Sequence, residues 1–249
     1  MNDAHIYCTL DQVAEEVASN VRMVQDYYSA FGFEDYSFRL SLWDPAKTSK
    51  YIDQPENWAL TQDRLRSIMN DLGVDYVEAV GEAAFYGPKV DIQFRTALGR
   101  EESMSTIQLD FAAKERFGLS YMDETGSENG EVLVLHRAPL STHERFVAFL
   151  TEHWMGNFPT WLSPTQVQII TISERHAEHA AKVALNLREQ GIRVSLDDSD
   201  STIGRKIRTH RKMRPAYMLI IGEDEVENGT VSIRARNGDQ RNGVLLKDF

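Results

Sequence analysis

Between Val132 and Trp154 the spacing of apolar residues changes from continuous to helical, and polar residues gather at the change. Val132, Leu133, Val134 and Leu135 form a short apolar run suited to a buried strand, whereas Phe146, Phe149, Leu150 and Trp154 recur at helical spacing after Thr142. The pattern predicts strand, loop and helix. His136, Arg137, Pro139, Ser141 and Thr142 fall in the loop, with a hydroxyl residue to cap the helix and Arg145 in its first turns. A histidine leaving a strand and an arginine starting a helix can face one pocket. The same residues also fit a core strand, a capped helix and solvated charges.

The preceding chain alternates between the same two periods. Val13, Val17, Val21, Val24 and Tyr28 form the stripe of an amphipathic helix over 10–31, stopped by Gly32. Tyr36 to Trp43 alternates as a strand, 44–54 is a loop, 57–72 a second helix ended by Gly73, and Tyr76 to Val80 a short strand. Two further alternating strands, 90–94 and 105–111, flank a turn at Leu98-Gly99-Arg100. Consecutive strands with hairpin-like turns predict an antiparallel sheet backed by helices, an α+β unit. Phe158 to Pro164 carries two prolines, which places a domain boundary near Leu162. Beyond it, strands at 167–172, 193–196 and 216–221 alternate with helices at 174–190 and 201–212, predicting an α/β domain with parallel pairing. A hairpin around Asn237-Gly238 closes the chain.

The 249 residues, 42% hydrophobic and 26% charged, are ordinary for a globular protein. A single cysteine, Cys8, excludes an internal disulfide and favours a reducing compartment. No apolar run reaches membrane-spanning length and the first residues lack a signal-peptide pattern, so a cytoplasmic protein is expected. The net charge of −11 argues against a generic nucleic-acid binder. Its distribution changes that picture: Lys and Arg number 14 against 12 Asp and Glu from Ser163 on, but 13 against 26 before it.

Phosphate-loop, dinucleotide and HExxH motifs are absent. His176 and His179, one turn apart on a helix rich in Ala and Glu, are expected to be a solvated pair. Ser141, His143 and Glu144 have triad residue types but are too close in sequence to face one another. The run RKIRTHRKMR, 205–214, has six Lys or Arg and no acid. On a helix, Arg205, Arg208 and Lys212 share a face suited to a row of phosphates, although a solvated face fits the run as well.

Five stretches together carry a resemblance: DAHIYC at 3–8, GEAAFYGPKVD at 81–91, TIQLDF at 106–111, HRAPLSTHERF at 136–146 and GEDEVENGTVSIR at 222–234. In content and order they resemble the threonyl-tRNA synthetases, a class II aminoacyl-tRNA synthetase family. The resemblance implies part of a catalytic domain over 1–162, from within motif 2 through motif 3, and an anticodon-binding domain over 163–249. It also implies activation of L-threonine by ATP, with Mg2+ accompanying the nucleotide, and transfer to threonine tRNA. Family members are homodimers.

The resemblance assigns roles residue by residue. His5 and His136 match the two histidines that, with a cysteine, hold a zinc ion binding the threonine amino group and hydroxyl. Coordination of this kind rejects valine far better than the ~100-fold that pocket shape alone supplies. Asp3 matches the substrate-recognising acid beside the zinc; Tyr86 and Lys89 fall in the substrate-pocket loop, and Gln108 lines the pocket and the ATP site. Arg145 matches the motif 3 arginine that pairs with ATP phosphates. Glu225 and Arg234 match anticodon-reading residues, with Arg208 on the adjacent helix. Ser105 and Ser141 stand where the family has glycine. Motif 1, the motif 2 arginine and the zinc cysteine have no counterpart in the chain, and Cys8 aligns elsewhere. The sequence therefore reads as a C-terminal fragment of such a ligase, expected to be inactive alone. The rival reading is a non-catalytic tRNA-binding or regulatory paralogue.

Overall fold

The computed structural model describes residues 2–47, 49–96 and 99–249, and the chain forms two compact units, Met1–Glu152 and His153–Phe249. In chain order the first unit comprises β1 (Ala4–Cys8), α1 (Val13–Phe31), β2 (Tyr36–Leu42), α2 (Pro55–Asp71), β3 (Tyr76–Val80), β4 (Lys89–Arg95), β5 (Glu101–Asp110), α3 (Ala113–Phe117), β6 (Tyr121–Met122), β7 (Glu128–Asn129), β8 (Leu133–Ala138) and α4 (His143–His153). Six strands make one sheet in the order β1-β8-β5-β4-β2-β3, and β6 and β7 pair as a separate ribbon.

Every neighbouring pair in the large sheet is antiparallel except β2 with β3, which is parallel. That departs from the wholly antiparallel expectation because α2 is a crossover between those strands, returning the chain in the same direction. The valine stripe of α1 is buried as its spacing predicts, with Val13, Val17, Val21, Val24 and Tyr28 all at 2% exposure or less. Gly32 ends the helix at φ 74°. A satellite core gathers Trp58, Tyr51, Ala83, Phe111 and Ala112 under α2. His136 and Arg137 lie inside β8, not in a loop after it, since that strand is paired on both edges as far as Arg137 and Ala138. Of the expected turn at Leu98-Gly99-Arg100, Leu98 lies outside the described residues.

The second unit runs β9 (Val167–Thr171), α5 (Ala177–Glu189), β10 (Val194–Asp197), α6 (Ile203–Arg211), β11 (Tyr217–Ile221), α7 (Glu223–Asn228), β12 (Thr230–Ala235) and β13 (Gln240–Leu245). Its five strands are ordered β10-β9-β11-β12-β13, parallel across the first three and antiparallel across the last three. Val167, Ile169, Leu219, Ile221, Val231 and Ile233 pack with Ala180, Val183, Ala184 and Leu187 of α5. His176 is buried, not solvated: a 3-10 turn, Glu174–His176, precedes α5 and leaves its ring 3% exposed, with Nε2 3.3 Å from Glu223 Oε2.

Candidate functional site

Strand register, more than any one motif, builds the first site. Lys89 of β4 sits opposite Gln108 of β5, Gln108 opposite His136 of β8, and His136 opposite His5 of β1. Directly opposed residues project from the same face, so four polar side chains form one row across four strands. His5 and His136 meet with ring centroids 4.6 Å apart at an edge-on angle, and the Tyr86 ring lies 5.2 Å from His136. Tyr86 Oη donates to Gln108 Oε1. Burial pushes the Tyr86 hydroxyl pKa above its usual value, reinforced by the charges of Asp110 and then Asp3. The loop carrying Tyr86 can approach only because residue 87 is glycine: a Cβ there would stand 1.8 Å from the Leu109 carbonyl oxygen.

Two buried carboxylates support this row from the next positions on the same face. Asp110 Oδ1 accepts the Ala112 and Ala113 N–H groups, both at 2.8 Å, and its Oδ2 lies 3.0 Å from His136 Nε2. Asp91, 1% exposed, receives Lys89 Nζ at 2.6 Å, Ser41 Oγ at 2.8 Å and an Arg39 amino group at 3.0 Å. Burial alone would raise the Asp91 pKa; the Lys89 charge and the bonds from Lys89, Ser41 and Arg39 outweigh it and hold the carboxyl below its usual range. Neither aspartate figured in the sequence-based site. On β4 and β5 polar residues recur along the whole strand, so Asp91 and Asp110 do not stand out by spacing, and only the cross-strand register brings them under the row.

Arg145 enters α4 behind Thr142, whose hydroxyl caps the helix by accepting the Arg145 N–H at 3.3 Å. Its guanidinium donates to Glu102 at 2.5 Å and lies over the Phe149 ring. With both partners about 40% exposed, that ion pair contributes little stability and is readily exchanged for another anion. Among the described residues no group of three or more His, Cys, Asp or Glu side chains is placed to hold a metal ion. Cys8 cannot join His5, since three residues along a strand reverse the face.

In the second unit a cleft of about 620 Å³ is lined by Arg208, Arg211 and Lys212 from the end of α6, by Arg214, and by Arg234 and Arg236 at the end of β12. Val231 and Ile233 point into the core, so Ser232 and Arg234 share the opposite face. Glu225 is held there, its carboxylate accepting the Gly222 N–H at 2.9 Å and the Ser232 hydroxyl at 2.6 Å. Of the basic run, Lys206 is buried and unavailable to a ligand.

The model of the tRNA synthetase class II core domain (G, H, P, S and T) matches residues 1–154. The chain belongs to this class II synthetase family. The model of the anticodon binding domain matches residues 166–249. Threonine--tRNA ligase of Bacillus velezensis is 48% identical over 250 residues, covering 100% of this chain and 39% of that protein. Threonine--tRNA ligase 1 of Bacillus subtilis is 47% identical with the same coverage. The chain thus spans 39% of the length of these curated relatives. A solved structure described as the RNA binding domain of threonyl-tRNA synthetase from Cryptosporidium parvum superposes with a TM-score of 0.89 at 36% identity, covering 99% of this chain and 61% of that one.

Within this class II chain, His5, His136, Gln108 and Lys89 share one face and Tyr86 meets it through Gln108 and His136, while Asp3 lies just ahead of β1, two residues before His5. Arg208 and Arg234 line one cleft, and Glu225 is tied to Arg234's strand through Ser232. Arg205 is exposed but does not line the cleft, whereas Arg211, Arg214 and Arg236, which sequence reasoning did not single out as ligands, do.

Proposed function

We propose that the chain is part of a threonine–tRNA ligase, carrying much of the threonyl-adenylate pocket and the anticodon reader. The observation that carries this reading is the row Lys89, Gln108, His136 and His5, set by strand register in a chain 48% identical to a threonine--tRNA ligase along its full length. In this reading Tyr86, Gln108 and Asp3 hydrogen-bond L-threonine, and Asp91 holds the Lys89 ammonium at the pocket wall. Arg145 exchanges Glu102 for the phosphates of ATP, which enters with Mg2+; a guanidinium suits this because it stays charged and binds two oxygens at once.

Two adjacent imidazoles are suitable nitrogen ligands for zinc, so His5 and His136 would hold such an ion, with Asp110 orienting His136. They supply two of the ligands a protein zinc site needs, and the third donor is not provided by the described residues. Bound there, zinc would select threonine through its hydroxyl. Residues 163–249 read the anticodon, with Glu225 accepting from and Arg234 donating to base edges, and Arg208 contacting the backbone. The intact protein would work as a cytoplasmic homodimer; no helix among the described residues is long and apolar enough to cross a membrane.

Competition binding tests the reading. The chain should bind threonine tRNA in preference to a tRNA of unrelated anticodon, and equal affinity for the two would contradict it.

A further inference from the structure

Helix α6 carries the cleft's cations on one side, yet the other side is not held by an apolar stripe. Its nine residues include one buried side chain, and that is Lys206, at 2% exposure. A helix of this length does not hold its shape or place without tertiary contacts. The Lys206 ammonium donates to the Thr171 carbonyl oxygen at 2.9 Å, to Thr171 Oγ1 at 3.1 Å and toward the Asp197 carbonyl oxygen at 3.5 Å. Three donors thus face three acceptors, and no carboxylate takes part. Thr171 ends β9 and Asp197 ends β10, which are parallel neighbours, so one side chain bridges the C-terminal ends of two strands. One turn further along α6, His210 Nε2 lies 2.5 Å from Asp197 Oδ2, attaching the same face of the helix to the same strand end.

We propose that Lys206 is a positioning residue for RNA binding, clamping α6 to the ends of β9 and β10 so that Arg208, Arg211 and Lys212 face the cleft in fixed register. Arg208 is two residues from Lys206 and exposed, so rotation or sliding of the helix moves its guanidinium directly. The inference rests on the reading of the cleft as an RNA site. A buried lysine satisfied by neutral acceptors adds little net stability over an apolar side chain of similar length, because desolvation of the ammonium offsets its hydrogen bonds. What the ammonium supplies and a thioether cannot is direction.

Lys206→Met and the milder Thr171→Val separate positioning from general stability, measured in the full chain with a threonine anticodon stem-loop. Lys206→Met should keep the thermal midpoint within a few degrees while weakening RNA binding ~10-fold; Thr171→Val should act in the same direction but less. The decisive term is coupling: Arg208→Ala should weaken the wild type by ~10-fold but add little on the Lys206→Met background, since a misplaced Arg208 has already lost its contact. Amide hydrogen exchange over 203–212, measured without RNA, should accelerate in Lys206→Met while the amides of α5 do not change. Multiplicative losses from the two substitutions, or unchanged exchange in α6, would overturn the proposal. Failure of the wild-type chain to bind the stem-loop would instead strike at the RNA reading, and the exchange measurement would still decide whether the clamp exists.

Discussion

Glu225 Oε1 accepts the hydroxyl of Ser232 at 2.6 Å, tying the first turn of α7 to β12 two residues before Arg234. The residue proposed to read a base is therefore also a structural acceptor, with its second oxygen on the Gly222 N–H. Glu225→Ala should lower the stability of the second unit by about 1–2 kcal/mol by leaving both donors unpaired. Glu225→Gln keeps one acceptor and should cost less than half as much. Chemical denaturation checks the pair; equal stability of wild type and Glu225→Ala would contradict the assigned contacts.

Ser141 adopts φ 59°, a left-handed conformation, at the turn into α4. An L-residue with a Cβ is disfavoured there by about 1–2 kcal/mol, whereas glycine is not. Ser141→Gly should therefore stabilise the protein by about 1 kcal/mol, raising the thermal midpoint by roughly 2–4 °C. A lower midpoint would mean that the serine side chain makes a compensating contact.

The amphipathic helices and alternating strands of this chain were legible from spacing alone, because α1 and the core strands bury what their periodicity sets on one side. The parallel β2–β3 pair was not, since nothing local to two short strands tells whether the connecting helix crosses over. Legibility of the site divides similarly. His5, Tyr86, Lys89, Gln108, His136 and Arg145 were reached through resemblance, but Asp91 under Lys89 and Asp110 under His136 depend on cross-strand register, which sequence spacing does not reveal. Lys206 illustrates the opposite error: in a basic run it reads as one more surface charge, and only the geometry of two strand ends turns it inward.

Asp91 should make stability depend on pH in a defined direction. Its carboxyl is held below the ordinary value of about 3.9, so its contribution is fully present above that value and disappears as pH falls through the folded-state pKa. Asp91→Asn should cost about 3 kcal/mol near neutrality, by leaving the Lys89 and Arg39 cations without their countercharge. The gap from wild type should narrow progressively below about pH 4. A gap independent of pH would show that the lost interaction is not the ionised carboxylate's.

Cys8, 6% exposed, has its thiol pushed up to about 11, first by burial and then by the charge of Glu16. Because the thiolate is the nucleophile, alkylation by iodoacetamide at pH 8 should be at least tenfold slower in the folded chain than after denaturation. Comparable rates in the two states would contradict the buried placement of the β1 end.

The most direct measurement is the affinity of the full chain for a threonine anticodon stem-loop against loops changed only at the second or third anticodon base. We expect each base change to weaken binding by about 1–3 kcal/mol, and Arg234→Ala to remove most of that difference. Lys212→Ala should instead weaken every loop alike and flatten the salt dependence. Equal affinity for the matched and changed loops would contradict the account, leaving a basic cleft without base readout.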